Sequence, residues 1–194
     1  MSVDRRIERT KDQLRTAVLE LAETVDLSAL TVHDITRRAG VNRATFYQHY
    51  RDKDELLEQT IDGLLHELFD GCAPVLAGID RLLPDAIHPS VVQMFEEVAK
   101  RSALYGRLIG HGGSAYFIRR FQSRNEELTL RVMHHMETTG IDGPIPARVR
   151  AHFGASATVG LMSYWLENGQ KESAQTIAAW CWRLLRPVWF DLDE

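Results

Sequence analysis

Apolar and polar positions alternate along this chain with a period near 3.6 over almost its whole length. Leu14, Ala17, Val18, Leu21, Ala22 and Val25 form one face of a first helix, which gives way to polar Asp26 and Ser28. Thr31 stands just before Val32, Ile35 and Ala39, with Asp34 three residues on, a close variant of the capping box, and Gly40 follows where a helix would stop. Asn42 predicts an N-cap for a short helix from Arg43 to about His49. Asp52 caps a longer one with Leu57, Ile61, Leu64, Leu65 and Leu68 on one stripe. Beyond Phe69, Pro74 and Pro84 bound a stretch without a clear period. Pro89 fits the first position of a helix reaching about Lys100. Gly110 to Gly113 reads as a loop, and Ser114 to Thr139 as a long helix closed by Gly140. A final helix pair spans Pro146 to about Asn168 and Glu172 to about Arg186, with Pro187 ending or kinking the last. No alternating β-branched runs bounded by turns occur. The expectation is an all-α fold of about nine helices without internal repeats.

At 194 residues and 44% hydrophobic positions, the chain can bury about 70% of its unfolded surface without staples. Its two cysteines, Cys72 and Cys181, form neither a disulfide framework nor a metal motif, which points to a reducing compartment. Basic residues near the start are not followed by an apolar stretch, so no secretory signal is expected. The longest charge-free run, Ala151 to Leu166, is too short and too polar to span a membrane. The protein is therefore expected to be soluble and cytoplasmic. A net charge of −4 argues against nucleic acid as a partner, but residues 1–57 carry ten Lys/Arg and ten Asp/Glu against 13 and 17 in the remainder. Local placement has to decide.

The decisive segment is TVHDITRRAGVNRATFYQHY, Thr31 to Tyr50. Two short helices joined by a Gly-containing turn make a helix-turn-helix unit, whose second helix enters the DNA major groove. Val32, Ile35, Ala39, Val41 and Phe46 can pack beneath the pair, leaving Arg43, Ala44, Thr45 and Tyr47 facing outward. Arg43 suits a bidentate contact to guanine, and Thr45 a base edge or thymine methyl. Tyr47 and His49 carry donors suited to phosphates, and Thr31 can offer its hydroxyl and backbone N–H. Lys53 in the first turn of the next helix opposes the macrodipole, an arrangement that makes sense beside a phosphate. Arg5, Arg6, Arg9 and Lys11 flank the unit. The same helix–Gly–helix corner also serves as an ordinary packing corner in all-α proteins.

Thr31 to Leu57 resembles the DNA-binding domain of the tetracycline-repressor (TetR) family, matching its pattern at Thr31, Val32, Asp34, Ile35, Ala39, Gly40, Val41, Thr45, Phe46, Tyr47, His49, Lys53 and Leu56. Thr36, Asn42, Ala44 and Tyr50 replace the usual Ala, Ser, Gly and Phe. The resemblance implies phosphate contacts from Thr31, Tyr47, His49 and Lys53, with base reading around Arg43, Ala44 and Thr45 and Asn42 counted among the DNA-binding positions. It further implies a helix-turn-helix domain over residues 1–52, a helical regulatory domain over 53–194, and a homodimeric regulator of a palindromic operator.

In the second domain, Gly154, Ala157 and Gly160 permit close helix approach beside Phe153, Leu161 and Trp165, while Ile177, Trp180, Cys181, Leu184 and Val188 make a stripe. Phe153, Gly160, Leu161, Trp165, Ile177, Trp180 and Leu184 are the expected dimer interface. Trp180 and Trp182 cannot share a helix face, so one belongs to the core and the other to a partner. Met94, Tyr105, Phe117, Phe121 and Met133 could line a cavity for a small apolar or aromatic inducer, or pack as ordinary core. Adjacent His134 and His135 point about 100° apart and make no metal site. No catalytic motif or cofactor-binding loop occurs. The alternative is a helical protein-interaction module whose C-terminal domain docks a protein partner.

Overall fold

The computed structural model describes residues 2–70, 87, 89–138 and 145–190. Cys72, Pro74, Pro84, Gly140 and the side chains of His135, Met136 and Trp189 lie outside what is described. Nine helices are present among the described residues: α1 (Ser2–Ala22), α2 (Val32–Ala39), α3 (Arg43–His49), α4 (Lys53–Asp70), α5 (Pro89–Lys100), α6 (Ser102–Ile109), α7 (Ala115–Thr138), α8 (Ala147–Glu167) and α9 (Ala174–Phe190). No strand occurs among them.

The local chemistry of the first half explains its boundaries. Thr31 caps α2 through a complete capping box: its Oγ1 accepts from the Asp34 N–H at 3.2 Å, and the Asp34 carboxylate accepts from the Thr31 N–H at 3.3 Å. Gly40 ends α2 at φ 65°, where a side chain would be strained. The Asn42 side chain accepts from the Ala44 N–H at 2.8 Å to start α3, and Asp52 accepts from the Glu55 N–H at 2.9 Å to start α4.

Three stretches depart from expectation. Helix α1 starts twelve residues before Leu14, because nothing in Ser2 to Gln13 breaks a helix, and it ends at Ala22. Val25 therefore lies past the helix and is exposed, ahead of a one-turn 3-10 helix at Leu27–Ala29. An eight-residue helix, α6, precedes the glycine loop. Helix α9 runs through Pro187 to Phe190. Proline forfeits one backbone hydrogen bond there, close enough to the helix end for the final turn to persist.

Two hydrophobic cores form. The smaller packs Leu14, Ala17 and Val18 of α1 with Ile35, Phe46, Tyr50, Leu56 and Leu57. The larger gathers Ile61, Leu64, Leu65 and Leu68 of α4 with residues of α5 to α9, including Phe95, Phe117, Phe121 and Trp165. Helix α4 thus contributes its first turns to one core and its remainder to the other. Trp165 and Ile177, expected at a dimer interface, are core residues instead, 1% and 0% exposed. Trp165 packs edge-on against Phe95 with centroids 5.8 Å apart and donates its indole N–H to the Glu172 carbonyl at 3.0 Å. The inward face of α9 consists of Ile177, Ala178, Cys181, Trp182 and Leu185, turned away from Trp180 and Leu184.

Truncating Trp165 removes a fully enclosed side chain, so Trp165→Ala is expected to cost about 3–5 kcal/mol of stability in denaturant unfolding. A second outcome follows from the capping box. The Thr31 hydroxyl bond, the largest influence on Asp34, holds its carboxyl below the usual carboxylate range. Stability from this group is present above its unfolded pKa and is lost as pH falls through the lower folded value. Acid titrations of unfolding should therefore show a smaller loss of stability over that window in Asp34→Ala than in the wild type.

Candidate nucleic-acid interface

Helix α3 presents its outer side because Phe46 is fully buried and Tyr50 nearly so, their rings 5.7 Å apart at the center of the small core. That anchoring leaves Asn42, Arg43, Ala44 and Tyr47 exposed, with Thr45 and His49 half-buried. Arg43 lies over the Tyr47 ring at 5.6 Å and donates to the Tyr47 hydroxyl at 3.3 Å, so the two side chains are ordered as a pair at i, i+4. Tyr47 keeps its own proton for an acceptor, and Asn42, whose oxygen is used in capping, keeps its amide donors. The face offers guanidinium, amide and phenol donors in one exposed turn, suited to base edges and phosphates. Gln48, one turn from Ala44, is also exposed on α3. It escaped the sequence reading, though its i+4 spacing from Ala44 and its base-reading amide were the signal.

Two expected phosphate ligands are engaged within the protein. The hydroxyl of Thr31 donates to Asp34 Oδ2 at 2.5 Å, and its backbone N–H goes to the same atom. Neither donor is open to a phosphate while the carboxylate holds them. Lys53 reaches from α4 to the Ser28 carbonyl at 3.1 Å, tying the start of α4 to the 3-10 turn with one of its three protons. Thr36 is buried where the family pattern has alanine, and its hydroxyl is satisfied by the Val32 carbonyl at 2.8 Å.

Met94, Tyr105, Phe117 and Phe121 are buried in the larger core, and Met133 is buried as well. Tyr105, Phe117, Phe121 and Phe69 form a run of ring contacts at 6.0, 6.2 and 5.2 Å. Burial pushes the Tyr105 phenol well above its ordinary pKa, so it is a neutral donor at physiological pH. Cys181 is enclosed, and burial raises its thiol to about 11, which leaves it unreactive.

On the outside, α8 and α9 expose Val149, Phe153, Tyr164, Trp180 and Leu184, with Phe153 at 58% and Leu184 at 68%. Leu161 is half-buried beside them. A Cβ at exposed Gly160 would meet nothing within 4 Å, so nothing inside the monomer calls for glycine there. Trp180 faces outward at 45% exposure while Trp182 is buried. No group of three or more metal-ligating side chains and no helix long and apolar enough to cross a membrane occurs among the described residues.

Residues 14–60 match the family model of bacterial regulatory proteins of the TetR family, and residues 85–186 match that of a transcriptional regulator C-terminal region belonging to the same group. An uncharacterized HTH-type transcriptional regulator of Bacillus subtilis, YxbF, is 29% identical over 182 residues, 91% of this chain and 44% of its own length. The chain spans less than half the length of the first curated relatives it matches. A TetR regulator from Streptococcus agalactiae superposes with a TM-score of 0.74 at 24% identity, over 95% of this chain and 98% of that one. FadR from Bacillus subtilis, solved with stearoyl-CoA, gives 0.70 at 14% identity, over 89% and 96%. With residues 14–60 matched by one model and more than half of its length by the other, the chain belongs to the TetR family of bacterial regulatory proteins.

Proposed function

We propose that this chain is a sequence-specific DNA-binding transcriptional regulator, a cytoplasmic repressor that reads a palindromic operator as a homodimer. The observation that carries this reading is the exposed face of α3, where Asn42, Arg43, Ala44 and Tyr47 stand on a helix fixed by Phe46. Arg43 reads a base, and Thr45 contributes from the half-buried flank. Tyr47, His49 and Lys53 set register on phosphates. Thr31 serves chiefly as the cap that orients α2.

Dimerisation through α8 and α9 is supported by the large apolar side chains exposed together there, Phe153, Tyr164, Trp180 and Leu184, which an isolated monomer would leave in water. Each burial on association removes apolar area from solvent at about 25 cal/mol per Å2 before the costs of ordering. The inducer we assign, a small apolar or aromatic compound, would lie along the aromatic run of the larger core, with neutral Tyr105 as its polar anchor. Such a ligand changes operator affinity only through different affinities for the two states of the protein.

Selection of DNA from a random pool tests the reading: the wild type should enrich an inverted repeat with half-site centers about 34–36 Å apart or somewhat more. Arg43→Ala should relax the preference at one base position, at a cost of about 1–3 kcal/mol. Lys53→Ala should weaken binding to all sequences and lower the salt slope by about 1. No enriched repeat, or variants with unchanged preference and salt slope, would remove α3 as the reading helix. In sedimentation, the double change Trp180→Glu and Leu184→Glu should yield monomers that keep their helical circular dichroism.

A further inference from the structure

The two cores are joined through α4, but the halves of the molecule also meet at a second place. Leu19, Ala22 and Leu27, around the end of α1, pack on the larger core. Beside them the halves part around a cleft of about 450 Å3, floored by Leu57, Ile61 and Leu108. Side-chain ties beside this cleft add to the packing that sets the angle between the halves. Arg107 of α6 makes such a tie. Its Nε donates to the Glu23 carbonyl at 3.1 Å and its Nη1 to Asp26 Oδ1 at 3.0 Å. A fixed guanidinium fork just past the end of α1 also complements the negative end of that helix.

Helix α6 is in turn held from the other side. It leads into the Gly110–Ser114 loop, whose Ser114 N–H folds back to the Leu108 carbonyl at 3.0 Å. The His111 N–H donates to Glu167 Oε1 at 2.9 Å, and the Ser163 hydroxyl donates to the same oxygen at 3.1 Å. A Cβ at Gly110 would collide with the Gly106 carbonyl and crowd that carboxylate at 3.2 Å, so glycine is what lets the loop sit so close to it. Glu167 is the last residue of α8, one of the two helices with the exposed apolar face. A continuous series therefore runs from α8 through the loop and α6 to Arg107 and the end of α1, without passing through α4.

We propose that Arg107 is a positioning residue that fixes the half-site spacing the dimer reads, by holding each reading head at a set angle to the dimer helices. This rests on the dimeric DNA-reading function proposed above. The test compares wild type, Arg107→Ala, Arg107→Lys and Asp26→Asn on a single half-site and on inverted repeats whose spacing is varied one base pair at a time. Affinity for the single half-site should stay unchanged in every variant. In Arg107→Ala the preference for the best spacing over its neighbors should drop by about two- to fivefold, as befits a half-exposed ion pair. Arg107→Lys, which can keep one of the two contacts, should retain part of that preference.

An Arg107→Ala protein with the wild-type spacing profile would overturn the proposal. So would loss of single-site affinity with the profile intact, the mark of a merely structural role. If the wild type enriches no inverted repeat, it is the DNA-reading function that has failed. The tie is then judged by hydrogen exchange at amides 23–30, which should accelerate in both Arg107→Ala and Glu167→Gln. Unchanged exchange in Arg107→Ala would overturn it.

Discussion

One helix is buried at its two ends in two different hydrophobic cores, and the rest of the molecule is arranged around that fact. Helix α4, about 27 Å long for its 18 residues, places Leu56 and Leu57 beneath the recognition helix and Ile61 to Leu68 among the regulatory helices. Its middle is specialised residue by residue. Ile61 is core, Asp62 receives Arg120 of α7 at 2.7 Å, and Gly63 leaves space for the guanidinium of Arg15, which crosses from α1 to pair with Glu67. A glycine inside a helix costs roughly 0.5–1 kcal/mol relative to alanine. Here it lets α1 and α4 be clamped by an ion pair in addition to their packing. Displacing α4 therefore moves α1 with it, and α3, which shares their core, follows.

The groups proposed to face DNA add a second constraint. In the free protein the donors wanted for DNA are held by internal partners: Arg43 by Tyr47, Lys53 by the Ser28 carbonyl, Thr31 by Asp34. The first two partnerships are compatible with a phosphate or a base, since arginine and lysine retain spare protons. They also order long side chains before binding, which lessens the entropy lost on association. The third is different in kind. Asp34 is an anion held in its charged form by the very groups a phosphate would need, so in the free protein the Thr31 hydroxyl is turned to Asp34 and orients α2.

The helix-turn-helix was legible in the sequence because its determinants are local. A threonine with an aspartate three residues on, a glycine at a left-handed position and an asparagine two residues before a free N–H each fix a boundary without reference to the rest of the chain. The regulatory half was legible in its helices but not in their rotation. On α9 the apolar residues extend around much of the circumference, so a stripe through Ile177, Trp180, Cys181 and Leu184 looked continuous. Packing against α5 and α8 instead selects the set one residue around, Ile177, Ala178, Cys181, Trp182 and Leu185. Trp165 misled for the same reason, since a large aromatic suits a core and an interface equally until the neighboring helices are placed. Arg107 could not be read at all, because its partners lie 81 and 84 positions away.

Helix α8 borders both the larger core and the exposed apolar face. One of its faces, with Val159, Met162 and Trp165, is closed against the larger core. Another carries Val149, Phe153 and Tyr164 into solvent, and its last residue holds the loop that follows α6. Any change in how α8 sits against a second copy would reach that loop through Glu167 in a single step. It would reach the larger core through Trp165, whose ring lies against Phe95 on α5. An occupant of that core and a partner on the outer face would thus act on one rigid body. Close-packed helices transmit such shifts as discrete rearrangements and do not absorb them by bending. Coupling between the proposed ligand and operator would then need no long-range signal, only a helix with a neighbor on each side.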